Sequence, residues 1–435
     1  MTKRLRRSAS RLMAWLPALA GLLAACDHGG TTDPDPRAVN PSAHTLLLYL
    51  SGDSPSSASS LTPDLIYNAR QCALGMLDTR QPFNLVVYKD TEERGGSLPV
   101  LYQLRLNESG QKVDTVVLRQ WDADRNSVDP DGMTEVLNMV FTDPRFDTEV
   151  KGVCFGSHGL GWVPSSAFVP GQPASAPPSG GTRAAAYFGQ DSTHYMEVWD
   201  MRAGLERVPH LDYIIFDDCF MANAETAYEL RGVVDYIAGC PTEIMAAGLP
   251  YRRIVTTLAD AQDKTSLPDA LRGVVGDFES YYGPEGSYGQ YGGTFSLLAT
   301  AGIATLADRY AAMLADPDVQ ETLDEWGRYP STYEYALQHY GRSALGIRYT
   351  FYDLQDVAAH LAPGAHADAI AEAMKGVVLA EYHSDRFVPG ESIDLAHCHG
   401  LSVSLPEFFG MERRALIYLT AYGYTQWGRR MGYGE

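Results

Sequence analysis

Leu211 to Leu230, LDYIIFDDCFMANAETAYEL, is the stretch on which the reading of this chain turns. Tyr213, Ile214, Ile215 and Phe216 form the β-branched and aromatic run of a strand buried on both faces. Ala222, Thr226, Ala227 and Leu230 then recur at helical spacing. The stretch predicts a strand-to-helix corner with Cys219 at the carboxyl end of the strand and an amphipathic helix beyond it. Open α/β sheets bind ligands at that edge, and a helix starting there would turn its positive end towards a thiolate. Free cysteines are more often buried small hydrophobes than nucleophiles, so Cys219 alone decides nothing.

A second stretch has the same design. The apolar run Glu149 to Phe155 ends in Gly156-Ser157-His158-Gly159-Leu160-Gly161-Trp162, which places a histidine at another strand end. Small residues flanking His158 let a substrate approach the backbone, and Gly159 can offer an unobstructed amide. GSHGLGW followed downstream by FDDCFMANAETAYEL resembles the clostripain family of cysteine peptidases, relatives of caspases and gingipains. The resemblance runs from the Leu46 strand to about Tyr251, with weaker echoes in FYDLQDVA (351–358) and HGLSVSLP (399–406). It implies an α/β fold, a caspase-like three-layer sandwich around a mostly parallel sheet.

The resemblance also implies roles. His158 and Cys219 would form a catalytic dyad without an essential third carboxylate, and the backbone amides of Gly159 and Cys219 would receive the oxyanion. Asp217, two positions before the cysteine, would line the S1 pocket and pair with a basic P1 side chain. Read from the residues alone, Asp217 could equally cap the following helix. The family's second S1 acid is missing, because 246–251 reads AAGLPY and Glu243 is the nearest carboxylate. Calcium dependence occurs among clostripain relatives, but the chain carries no EF-hand-like loop, so no calcium site is placed and no metal ligand is assigned.

The chain begins with Lys3, Arg4, Arg6, Arg7 and Arg11 ahead of an apolar stretch that closes on Leu23-Ala24-Ala25-Cys26. Residues 1–25 read as a signal peptide, and their ending resembles a bacterial lipobox with Cys26 as the lipidated residue. Residues 26–43, rich in Gly, Thr, Pro and Asp, suit a flexible tether. The expected location is therefore the bacterial cell envelope, with the membrane reached through lipid. Formal net charge is −20 and becomes more negative once five basic leader residues are removed. Nucleic acid is accordingly excluded as a partner, and peptide or protein substrates remain. Of the six cysteines, Cys72, Cys154, Cys240 and Cys398 read as core thiols, with one disulfide left open.

The catalytic core is expected over 44–251. Strands are predicted at Thr45 to Leu50, Phe83 to Lys89, Val100 to Leu106, Val113 to Trp121 and Val234 to Ala238. Helices are predicted at 59–75, 133–141 and 196–207. The segment Val163 to Thr182 is too poor in charge and too rich in Pro, Ser, Ala and Gly to pack as an element. It is either a spacer or an activation segment open to self-processing at Arg183, the single Lys or Arg between Trp162 and Asp200. Residues 252–435 are expected to form a mainly helical C-terminal region packed on the core, with helices at 266–281, 303–314, 349–361 and 367–379. Strands there are expected at Thr294 to Ala299 and Gly400 to Leu405. YYGPEGSYGQYGG (281–293) could rim a binding site or face solvent. His397-Cys398-His399 offers two histidines at alternate positions, but with no companion ligand it reads as a partly exposed strand end.

The function these features support is a lipid-anchored exported cysteine endopeptidase cutting after Arg and less well after Lys. The competing readings are a catalytically silent binding protein on the same scaffold, or a transpeptidase using the same dyad.

Overall fold

Alternation along the strands explains the layering seen in the structure, a computed structural model. It describes residues 42–52, 60–91, 98–165, 188–192, 194–340, 350–388, 392–409 and 413–434. Cys26 and Arg183 lie outside them. In β1 (His44–Ser51), Leu46, Leu48 and Leu50 face one way and Leu47 and Tyr49 the other, and all five are buried. In β2 (Asn84–Asp90), β5 (Val150–Gly156) and β8 (Leu211–Asp217) the same split recurs. Leu85, Val87, Cys154, Tyr213 and Ile215 go to the first face, and Val86, Tyr88, Val153, Phe155, Ile214 and Phe216 to the second.

Each face is covered by helices. The first receives α1 (Thr62–Asp78), α5 (Tyr251–Ala259) and α6 (Leu267–Tyr282). The second receives α2 (Pro130–Phe141), α3 (Val198–Leu205), α4 (Ala224–Leu230) and α7 (Ile303–Leu314). Continuous apolar strands need cover on both sides, and three layers supply it. The expected caspase-like sandwich is what forms.

The sheet has nine strands. Parallel β2-β1-β5-β8-β9 form its centre, with β9 at Val234–Gly239. Antiparallel β3 (Val100–Leu106) and β4 (Val113–Gln120) extend it beyond β2 as the predicted hairpin. From β1 the chain steps to β2 on one side, and β5, β8 and β9 then fill the other. The topological switch point therefore falls between β1 and β5, where α/β sheets open a crevice at the carboxyl edge. A small hairpin, β6 (Phe188–Asp191) with β7 (His194–Met196), lies between β5 and α3 in sequence.

The boundary placed at 251 does not divide the sheet. β10 (Thr294–Ala299) pairs with β9, and a later strand, Val378–His383, pairs with β10 as the outermost strand. Before that strand come β11 (His339–Tyr340) and β12 (Phe351–Asp353), so Val378–His383 is β13. The helix expected over 349–361 is β12 followed by a helix at Leu354–Leu361, because Asp353 caps that helix by accepting from Asp356 N–H. The helix expected over 367–379 stops at Met374 and gives way to β13. α5 and a helix at Pro317–Arg328 went unforeseen. Beyond β13 come β14 (Arg386–Phe387), paired with β15 (Ile393–Asp394), and β16 (Ser402–Val403), paired with β12. All five cysteines in the described residues are free thiols, so the disulfide left open does not form among them.

Candidate active site

β5 and β8 are parallel neighbours in which Gly156 pairs with Asp217. His158 and Cys219 each stand two residues past that pair, so equal steps off two adjacent strands carry both to one end of the sheet. The approach is close. A Cβ placed on Gly159 would stand 2.8 Å from Cys219 O and from Asp218 Cβ, and 3.3 Å from Cys219 N. Glycine is required there because the backbone of one motif lies on the backbone of the other. Gly159→Ala is expected to cost about 1–3 kcal/mol in stability by overpacking. Gly276, in α6, is the opposite case: a Cβ there would meet no described atom within 4 Å. Gly276→Ala should accordingly leave the urea midpoint unchanged or raised.

The chain leaves Cys219 in an unusual way. Phe220 has φ +61°, a left-handed conformation that a bulky residue adopts only when its surroundings impose it. Its N–H donates to Thr242 O (2.9 Å), and its ring stacks on Phe351 with centroids 5.3 Å apart. Ala222 N–H donates to Cys240 O (3.1 Å), so the turn is sewn to the chain leaving β9. Gly161, at φ +59°, fits beside it, where a Cβ would meet Asn223 Nδ2 at 2.5 Å and Phe351 Cζ at 2.9 Å.

α4 consequently starts at Ala224, five residues after Cys219, and Asn223 caps it by accepting from Thr226 N–H (2.7 Å). Three readings of the sequence are corrected at this turn. The helix does not begin just beyond the thiol, and Asp217 is not its cap. Nor is α4 amphipathic, since all seven of its residues are buried. Glu225 receives Ser404 N–H (2.8 Å) and Tyr422 O–H (3.2 Å), and Glu229 receives Gln426 N–H (2.8 Å). The C-terminal segment thus closes over the helix face that the sequence pattern left polar.

Cys219 is half-buried. Ile244 N–H donates to its Sγ at 3.4 Å, and Ile244 O lies 3.8 Å from the same sulfur. Burial pushes the thiol up to about 12, with the charges of Glu243, Asp218 and Asp217 adding to the effect and the Ile244 backbone opposing it. Asp218 is fully buried and its carboxyl is likewise driven upward by desolvation, then by Asp217.

Asp217 ends β8 beneath the segment after β9. Only 6% of it is exposed. Tyr251 O–H donates to Oδ2 (2.6 Å), while Oδ1 has no hydrogen-bond partner among the described residues. Gly248, at φ +68°, lies directly on this carboxylate, since a Cβ there would stand 2.8 Å from Oδ1. Tyr282 O–H holds Gly248 O (2.8 Å), and Tyr282 lies against Tyr281 and Tyr288. The aromatic segment 281–293 therefore backs the loop over Asp217 instead of merely facing solvent. Burial raises the Asp217 carboxyl to about 7, against the hydrogen bonds from Tyr251 and Leu249 N–H.

Trp162 anchors the other motif. Its Nε1–H donates to Ser404 Oγ (2.8 Å), and its ring meets Tyr422 edge-on at 4.7 Å. Truncating a buried tryptophan costs about 3–5 kcal/mol, so the loop after His158 is firmly tied to the C-terminal region. Ile244 was not singled out from sequence, and Gly248 and Tyr251 entered only as members of the 246–251 segment that lacks a second acid. Their signal was only position, just after the strand that follows the cysteine. Among the described residues no three carboxylates converge in the way a calcium site uses them.

Comparison with known proteins agrees with this geometry. The sequence profile described as the clostripain family matches residues 69–384. The curated proteins give no match. Among solved structures, an inactive zymogen C11 protease from Parabacteroides distasonis superposes with a TM-score of 0.70 at 22% identity, over 90% of this chain and 98% of that one. A secreted C11 cysteine protease from Bacteroides thetaiotaomicron, in complex with an irreversible peptide inhibitor, superposes at 0.66 with 23% identity, over 90% and 99%. At such identities the likeness establishes the fold, and the profile match establishes the family. With a parallel sheet that brings a cysteine motif and a histidine motif to one edge, and a profile match over most of its length, the chain belongs to the clostripain family of cysteine peptidases.

Proposed function

We propose that the protein is a lipid-anchored exported endopeptidase in which Cys219 and His158 act as a dyad and Asp217 selects arginine, and less well lysine, at P1. One observation carries the dyad: both residues stand two steps past the paired Gly156 and Asp217, with Gly159 packed on the Cys219 backbone. In the reaction the Cys219 thiol gives its proton to His158 as sulfur attacks the scissile carbonyl. The backbone N–H groups of Gly159 and Cys219 receive the oxyanion, and His158 returns the proton to the leaving amine. Water then hydrolyses the thioester by the same route. The test is a set of fluorogenic peptides differing only at P1. Arginine should lead, lysine should follow, and a thiol-blocking reagent should silence both. A preference for aspartate, asparagine or an apolar residue overturns the pocket assignment.

The anchor is read from the basic start, the apolar run and the Leu-Ala-Ala-Cys ending. Among the described residues no helix is long and apolar enough to cross a membrane. Membrane attachment in this reading rests on lipid at Cys26. Cys26→Ser should move the protein out of the membrane fraction. Wild-type protein found free in the medium with an unmodified N-terminus would sink the idea.

A further inference from the structure

His397-Cys398-His399 looks from sequence like half a metal site without companions. The fold supplies companions from another strand. Glu381 and His383 alternate on β13, so both project from one face of the sheet's outermost strand, and Cys398 comes up beside them on the chain leading to β16. One ligand atom from each, a carboxylate oxygen, an imidazole nitrogen and Sγ, lie within 4.8 Å of one another. His397 is not part of the group. Its ring is 70% exposed and 3.9 Å from Asp356.

The surroundings hold the three in place. Gly400, at φ +84°, is pressed onto β13, where a Cβ would stand 2.9 Å from Glu381 Cβ and from Ser296 Oγ. The fully buried Asp353 accepts from Tyr340 O–H (2.9 Å) and from His399 N–H (2.7 Å), and pairs with His399 Nδ1 (2.9 Å). That leaves Cys398 and His399 flanked by a fixed polar node. Glu381 Oε2 already meets His383 Nδ1 at 2.9 Å.

We propose that Glu381, His383 and Cys398 bind one zinc ion. Thiolate, imidazole and carboxylate together suit zinc, whereas calcium and magnesium take oxygen ligands. A tetrahedral zinc with bonds of about 2.0–2.3 Å needs ligand atoms roughly 3.3–3.8 Å apart, which rotation of the half-exposed Glu381 and His383 side chains provides. Solvent supplies the remaining position. Binding releases the Cys398 thiol proton, and His383 ligates as neutral imidazole with its proton on the nitrogen that does not face the ion.

The ion would fasten the edge strand to the segment that braces the nucleophile turn. Four residues past Cys398, Ser402 N–H donates to Ala222 O (3.1 Å), and Ser404 N–H then reaches Glu225 (2.8 Å). Zinc here would act as a clamp on the fold and take no part in the proposed peptide cleavage.

Zinc would also bind a cysteine-histidine dyad, so the experiment uses a protein carrying Cys26→Ser and Cys219→Ala. Titration with cobalt, the spectroscopic substitute for zinc, should produce a near-ultraviolet sulfur-to-metal charge-transfer band that saturates at one ion per chain. Zinc should displace it and raise the thermal midpoint by several degrees. Adding Cys398→Ser should remove the band, and His383→Gln should weaken binding at least tenfold while the circular dichroism stays native. If Cys398→Ser fails to fold, the band in the parent protein and its loss in Glu381→Gln/His383→Gln decide. Absence of a sulfur band in the parent, or a band that survives these substitutions, overturns the proposal.

Discussion

Cys219→Ala should lower peptidase turnover by roughly 10⁴-fold or more, to whatever the oxyanion amides and substrate binding can achieve alone. The expected loss in His158→Ala is nearly as large, about 10²–10⁴-fold, and the structure gives the reason. A cysteine at a helix N-terminus can hold itself as a thiolate. Cys219 lacks that helix support, because α4 begins five residues later at Ala224, and the acids Glu243, Asp218 and Asp217 raise the thiol further against the Ile244 backbone hydrogen bond. With burial pushing the thiol up to about 12, the proposed reaction is expected to start from the protonated thiol, with His158 as the base that takes its proton. His158→Ala should therefore not be rescued between pH 7 and about 9, where an ordinary thiol near 8.5 would already ionise. Initial rates on one arginyl substrate across that pH range settle the matter. Appreciable activity in either variant, with contaminating peptidase excluded, would show the dyad to be wrongly assigned.

Asp217→Asn keeps the shape of the pocket and removes its charge, so cleavage after arginine should fall by about tenfold while cleavage after neutral residues changes little. Charge-assisted hydrogen bonds to a guanidinium contribute roughly 1.5–3 kcal/mol, or about ten- to a hundredfold in rate. The lower end applies because 246–251 carries no second acid, Tyr251 already occupies Oδ2, and Oδ1 is buried beneath Gly248, so an arginine reaches it only by displacing that cover at some cost. The pH profile supplies a sharper signature. The carboxyl is raised to about 7, so it is protonated below that pH and charged above it. Attraction for arginine is thus gained as pH rises through about 7, and kcat/KM for arginyl peptides should show that limb. The limb should vanish in Asp217→Asn and be absent for a P1 alanine substrate. An arginine rate that Asp217→Asn leaves untouched would remove Asp217 from the pocket.

Much of the architecture was legible because the central strands carry it locally. Leu46 to Leu50, Leu85 to Tyr88, Val153 to Phe155 and Tyr213 to Phe216 are unbroken apolar runs, and such runs fit only a sheet covered on both faces. The two motifs sit where those runs end, so the sequence also placed a histidine and a cysteine at strand ends. Misreadings cluster where a local pattern was overruled by distant partners. Glu225 and Glu229 look like the polar face of an amphipathic helix, yet Ser404, Tyr422 and Gln426, nearly two hundred residues away, bury them with hydrogen bonds. Val378 and Leu379 read as the end of the helix expected over 367–379, and instead open β13 because β10 offers an edge to pair with. By itself, then, the sequence determined the sandwich, the order of the motifs and the strand ends on which they ride. Only the tertiary structure decided the chemistry around them: the left-handed Phe220 that delays α4, the Ile244 backbone on the sulfur, the Gly248 and Tyr251 cover on Asp217, and the meeting of Glu381, His383 and Cys398. Each of these depends on which loops cross at the sheet edge, and periodicity within a single strand or helix holds no information about a contact made across it.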